Sequence, residues 1–283
     1  MLSDWLSSLS IIGTGAVTLA VLVGAAAVGQ FFRRLQARRT AGAEKESEPS
    51  VAQEGYLLGS ALGLLGLLLA FTFGMVINRY EARRELVTTE ANAIGTAYLR
   101  AQLLDEPHRS RLSNLLVAYT ENRIDLATAA DPNAFLATND RLLTEIWAAV
   151  SSARESALAH GISTPLLMTF NEVIDLDTER KIAWQLRVPA EVLLLLLVFL
   201  AVAATLVGHQ IDGPRGRRAA VVLFLLLAVS ITVITDINRP MTGSAKESQQ
   251  AMRMLLASLK AQPPRVFDQF KATQPAAQPS HAH

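Results

Sequence analysis

The stretch Ala70–Ala101, AFTFGMVINRYEARRELVTTEANAIGTAYLRA, starts apolar and ends charged. No proline interrupts it, and its only glycine beyond the apolar part is Gly95. A helix leaves a membrane without a loop when its side chains change character and its backbone ladder stays intact. From Tyr56 to Gln102 the sequence therefore predicts one rod, membrane-spanning at its start and aqueous at its end. Glu81 faces Arg84 at i+3, and Tyr80 falls at headgroup depth, where aromatic rings gather. Such a rod couples the two halves mechanically.

Three further apolar blocks stand beside it. Ile11–Phe32, Tyr56–Ile77, Pro189–Gly208 and Ala219–Ile237 carry no formal charge except Glu191 and Asp236 at their ends. Each holds roughly 20 residues, the length that crosses a hydrocarbon core of about 30 Å. The first block reads as a retained anchor, because MLSDWLSSLS supplies no basic n-region and Phe31-Phe32-Arg33-Arg34 is a poor cleavage context. Of the 283 residues 51% are hydrophobic and 18% charged, against about a quarter charged in soluble domains. A net charge of +1 offers no basic excess for nucleic acid, and the absence of cysteine excludes disulfides and thiolate chemistry.

The fold class that follows is all-α: four transmembrane helices in two hairpins, with a helical extramembrane bundle between them. The divisions expected are 1–54 for the first span and a flexible polar linker, and 55–104 for the second span and its aqueous continuation. Residues 105–188 form the bundle, 189–237 the second hairpin, 238–262 an amphipathic helix and 263–283 a disordered tail. Gly213-Pro214 marks the tight turn of the second hairpin. Within the aqueous part, Pro107, Asp131-Pro132 and Thr164-Pro165 mark helix starts. They divide it into helices near 78–104, 107–129, 132–159 and 165–186. Leu112, Leu116 and Tyr119, then Leu142, Ile146 and Trp147, then Leu166, Leu167 and Phe170 supply apolar stripes. A last helix, near 244–261, carries Ser248, Met252, Leu255, Leu256 and Leu259 on one side, to dock on its own protein or to lie on lipid headgroups.

One face of the second span has almost no side chains. Gly59, Gly63, Gly66, Ala70 and Gly74 follow one another at intervals of four or three. Such a face either packs closely on another helix or lines a pore built by several subunits, with Phe71 or Phe73 near a constriction. Asn78, Arg79, Glu81 and Arg83 mark the exit of this span, and Asp236, Asn238 and Arg239 that of the last. At the last exit Asp236 and Arg239 are spaced either to pair at i+3 or to coordinate an ion at a pore mouth.

LGLLLAFTFGMVINRYEARRELVTTEANAIGTA is similar to the segment of bacterial bestrophin-type channels in which a glycine-rich apolar helix runs into an Asn-x-x-Tyr/Arg-x-x-Glu-Ala-Arg pattern. The whole chain resembles the bacterial bestrophin-like integral membrane protein family. The fit covers roughly residues 50–262, and its specific parts are EANAIGTAYLRAQLL and DINRPMTGSAKESQQAM. The resemblance implies an oligomeric, mostly pentameric, passive channel for a small anion, with the helix matching Tyr56–Ile77 around the pore. The chain departs from true bestrophins where an aromatic-rich Arg/Trp/Trp run is only Arg79-Tyr80-Glu81.

Other chemistry finds little support in the sequence. The five histidines lie at 108, 160, 209, 281 and 283, none paired at i+3 or i+4, so no metal site is expected. No phosphate loop and no nucleophile elbow occur, so neither an enzyme nor a cofactor is expected. Glu172, Asp175, Asp177 and Glu179 read as a solvated acidic face. Only Thr72, Thr205, Ser230 and Thr232 are polar at depth, which argues against an ion-coupled carrier. The reading is a multi-pass protein of a bacterial cytoplasmic (inner) membrane, in contact with the lipid bilayer and with copies of itself. The alternative is a non-conducting sensor or scaffold whose bundle binds a partner. Short-loop basic residues (Arg33, Arg34, Arg38, Arg39, Lys45, Arg215, Arg217 and Arg218) lean towards a bundle outside the cell, whereas the bestrophin topology implies the reverse.

Overall fold

The computed structural model of the protein describes residues 10–40, 51–129, 131–211 and 213–271, and among these every regular element is helical. The elements are α1 (Ile11–Thr40), α2 (Val51–Ala101), α3 (His108–Thr128), α4 (Asn133–Ser152), α5 (Arg154–Ala159), α6 (Ser163–Gln185), α7 (Ala190–Gln210), α8 (Gly213–Ile237) and α9 (Gln250–Ala261). A 3-10 turn, Pro264–Phe267, and the short α10, Asp268–Lys271, follow. Four helices are long and apolar enough to cross a membrane. The rod is unbroken: α2 is helical through Ile77–Arg84 to Ala101.

The described residues of Met1–Glu81 and Leu186–Lys246 form one compact unit. In it α1 packs against α7 and α8, and Leu22, Leu65, Leu196, Leu200 and Phe224 are buried at the centre. The hydroxyls of Thr72, Thr205, Ser230 and Thr232 each donate to the carbonyl four residues back, at 2.7–2.9 Å. Those bonds keep polar groups satisfied where no water can reach. Helix α1 runs past its apolar block through Arg33–Arg39, where a linker was expected, since nothing in RRLQARR breaks a helix. Arg33 Nη1 donates to the Ile211 carbonyl at 2.7 Å, which ties that extension to the end of α7. The middle of the expected linker, residues 41–50, lies outside the described residues.

Ala82–Gln185 and the described residues from Glu247 on form the second unit, a helical bundle. Ile94, Leu112, Leu116, Tyr119, Ile146, Phe170 and Met252 are fully buried in it. Asp131 accepts the N–H of Asn133 at 3.0 Å, but α4 starts one residue later than expected, with Pro132 and not Asp131 at its N-cap. The helix expected over 132–159 is interrupted at Ala153 and resumes as α5. Trp147 and Leu167, placed on apolar stripes, are more than one-third exposed. Their neighbours Ile146 and Leu166 fill the core instead.

The C-terminal helix begins at Gln250, six residues later than expected. Two side chains draw the preceding strap out of helical form. The Asp236 carboxylate accepts the Ser244 N–H at 2.8 Å, and in the second unit Glu247 pairs with buried Arg83. Gly243 closes the turn because a Cβ there would overlap the Asp236 carbonyl oxygen. Helix α9 docks on α3 through Met252 and Leu259, and Lys260 pairs with Glu121 at 2.5 Å. Part of the expected tail is ordered: Phe267 packs edge-on against Tyr98, and Asp268 pairs with Arg109 at 2.5 Å. The rest, from residue 272, lies outside the described residues.

Candidate functional site

Gly59, Gly63, Gly66, Ala70 and Gly74 are all exposed within their own chain. A Cβ built on any of the four glycines would meet nothing within 4 Å. The opposite side of α2, carrying Leu65, Thr72 and Val76, faces the interior of the unit. Among the described residues nothing therefore packs on the small-residue face. It presents a smooth, side-chain-poor stripe outward.

Close helix packing is built elsewhere. A Cβ on Gly29 of α1 would overlap the Thr205 carbonyl oxygen of α7, and one on Gly208 would overlap the Ala26 carbonyl oxygen. Small residues let two backbones touch and exchange dense van der Waals contact, which is what holds helices together in lipid. Gly15, 3.0 Å by the same construction from the Thr232 hydroxyl, marks a second approach between α1 and α8.

Phe71 and Phe73 are 65% and 43% exposed. Two residues apart on a helix, they point about 160–200° from one another, so they cannot share one lumen. Phe73 follows Gly59 and Gly66 at steps of seven and borders the glycine stripe, whereas Phe71 follows exposed Leu57 and Leu64. Glu81 follows Gly74 by seven and is exposed, and Asn78 is exposed with Arg79 half-buried.

The exit residues of the last span hold the unit together. Buried Asn238 accepts the Val188 N–H at 2.8 Å, so the end of α8 fixes the approach to α7. Arg239 donates to the Thr14 hydroxyl at 3.1 Å, and Asp236 holds Ser244.

The bundle contains a buried charge cluster that the sequence reading missed. Glu90 and Arg123 are fully buried, and Arg180 and Asp177 are 2% exposed. Glu90 accepts from the Tyr119 hydroxyl at 2.6 Å and from Arg123 Nη2 at 3.2 Å, and it pairs with Arg180. Arg123 also meets Asp177 at 3.0 Å, and Asn139 and Lys181 add bonds to Asp177 at 2.8 and 2.7 Å. Both guanidiniums lie over the Trp184 ring, at 5.4 and 5.5 Å from its centre. Burial pushes the Glu90 carboxyl up, but Arg123, Arg180 and the Tyr119 hydroxyl outweigh it and hold the group below its ordinary range. Burial, reinforced by Glu90, pushes the Tyr119 hydroxyl well up, so it stays a donor. Asp177 thus does not belong to the solvated acidic face, while Glu172, Asp175 and Glu179 are exposed as expected. Among the described residues no group of three His, Cys, Asp or Glu side chains is placed to hold a metal ion.

The family profile described as the Bestrophin-like domain matches residues 20–252. A crystal structure of a bacterial bestrophin homolog from Klebsiella pneumoniae, as a single-substitution variant, is similar with a TM-score of 0.65. The two sequences are 16% identical, with 92% of this chain and 98% of that chain covered. The same homolog solved by zinc phasing has a TM-score of 0.55 at 16% identity, covering 94% and 100%. At such identities the likeness speaks for the fold. No curated protein matches the chain.

Proposed function

Because the chain belongs to the bestrophin-like family, we propose that it is an oligomeric, passive ion channel walled by the Gly59–Gly74 face of α2, one copy from each subunit. The observation that carries this reading is that the glycine stripe is exposed and touches none of the described residues outside its own helix. A smooth stripe without partners wastes packing in a monomer but suits a closed ring about an axis. Phe73, at the border of the stripe, is the constriction, and dewetting at a ring of such phenyl groups gates without charge. The seat is a bacterial cytoplasmic membrane.

Ion preference follows from the charges where the stripe leaves the span. The resemblance implies a small anion. Glu81, Arg84 and Glu85, however, continue the stripe at steps of three and four, two carboxylates to one guanidinium. A ring of such triplets is net negative, and carboxylate rings draw cations. The favoured ion by this argument is a cation.

Purified protein in liposomes tests the proposal. Ion flux above that of a control membrane protein is expected, with a reversal potential in a salt gradient that favours cations and weakens in Glu81→Gln. A monomeric or dimeric state in detergent, with no flux, would sink the channel and leave the membrane-anchored scaffold. An anion-selective reversal potential would keep the channel and reject the role given to Glu81.

A further inference from the structure

The first unit encloses a cavity of about 130 Å³ between α1, α7 and α8. One end is polar, lined by Thr14, Arg187, Asn238 and Arg239. The rest is mostly hydrocarbon, Val17, Val21, Leu193, Leu196, Leu200 and Ile231 among it, and the hydroxyls of Thr18 and Thr235 there are spent on carbonyls of their own helices. Thr14 stands near the start of α1, Arg187 just before α7, and Asn238 and Arg239 just after α8, so the polar end lies at one membrane interface. Val21 is seven residues further along α1, roughly 10 Å deeper. The slot thus runs from the headgroup region towards the bilayer centre, changing from charged to apolar along its length. Val21 and Leu194 at its side are exposed, so it opens towards acyl chains.

We propose that this slot binds one anionic phospholipid, an acyl chain in the cavity and the phosphate against Arg187 and Arg239. Charge complementarity decides the occupant. Two guanidiniums line the same end: exposed Arg187, and Arg239, which donates to Thr14 and whose charge burial and Arg187 disfavour while Asp236 favours it. Among the described residues no carboxylate pairs with Arg187. Two guanidiniums against the one Asp236 carboxylate leave that end net positive, and a phosphate diester meets it through short charge-assisted hydrogen bonds. The volume is near the ~150 Å³ of an apolar cavity that accepts a benzene-sized guest, so it takes a segment of one chain and not two. The site is independent of conduction, since none of its residues lies on α2.

The experiment is native mass spectrometry of the full chain in detergent, titrated with phosphatidylglycerol or phosphatidylcholine. Phosphatidylglycerol is expected to saturate one tight site per subunit and phosphatidylcholine to bind without a distinct tight class. Arg187→Ala, an exposed position that leaves the fold alone, should weaken phosphatidylglycerol roughly fivefold, the worth of one basic side chain at a membrane surface. Val21→Trp, which fills the slot from its rim and keeps both arginines, should remove the tight class. Equal affinity for the two lipids, or a tight class that survives Val21→Trp, would overturn the proposal. So would displacement of the lipid by millimolar inorganic phosphate, which would mean that a free anion is the ligand. Absence of the tight class in the oligomer, with its appearance on dissociation, would mean that a second copy fills the slot.

Discussion

Glu90 joins Arg123, Arg180 and Tyr119 inside the bundle. It balances two arginines in a place where water does not reach. Removing one member of a buried charge cluster leaves the others uncompensated, at a cost of about 3–5 kcal/mol. Glu90→Ala is therefore expected to lower the denaturant midpoint of the bundle by that order, followed by circular dichroism on the whole protein. Asp140→Ala, which removes only a largely exposed partner of Lys181, should cost less than ~1 kcal/mol. The pH dependence has a definite sign. The Glu90 carboxyl sits below its ordinary value of 4.5 in the folded state. Its contribution is therefore complete above 4.5 and is lost as pH falls through the lower folded value. The drop in thermal midpoint on acidification should be shallower in Glu90→Gln. An unchanged acid profile would mean that other carboxylates govern it.

At the scale of elements, two sets of glycines separate by experiment. Gly29→Ala and Gly208→Ala put a methyl group into the facing backbone, and overpacking of this kind costs roughly 1–3 kcal/mol. Both should lower the thermal midpoint of the protein in detergent. Gly63→Ala should not, because nothing stands near it in the subunit. Gly63→Leu and Gly66→Leu then report on the oligomer: a lumen loses flux and keeps its assembly, whereas a packed subunit contact falls to smaller species. If neither flux nor assembly changes, the stripe faces lipid. The elements themselves were legible because lipid demands long uncharged runs and the rod contains no breaker. The charge cluster was hidden because charged residues were read as surface. A signal existed: Leu112, Leu116, Tyr119, Arg123 and Leu126 keep one stripe at steps of four and three. Leu166, Phe170, Val173, Asp177 and Arg180 do the same, and Val87, Glu90 and Ile94 match them. A charge in register with a core stripe has to find its partner inside. Glycine spacing could not say which stripe packs, since Gly29 and Gly208 have no pattern of their own and the patterned face on α2 is bare.

For the whole molecule the open quantity is the side of the membrane that the bundle occupies. Arg33 bonds the Ile211 carbonyl, so Arg34, Arg38 and Arg39 share one end of the first unit with Arg215, Arg217 and Arg218. These are short-connection residues close to span ends, the class that orients a membrane protein. At the opposite end of the first unit stand Arg79, Arg187 and Arg239, with the Asp236 carboxylate acting on Arg239. The balance favours the first end in the cytoplasm and the bundle outside. The chain contains no cysteine, so single cysteines report without any background replacement. Glu172→Cys on exposed α6 should react with a membrane-impermeant maleimide on intact spheroplasts, and Arg217→Cys only after the membrane is opened. The reverse pattern would place the bundle in the cytoplasm, as the family resemblance implies. The basic residues of the two connectors would then be overruled by the charge at the exits of α2 and α8. The face formed by Glu81, Arg84 and Glu85, two carboxylates to one guanidinium, would in that case lie on the cytoplasmic side.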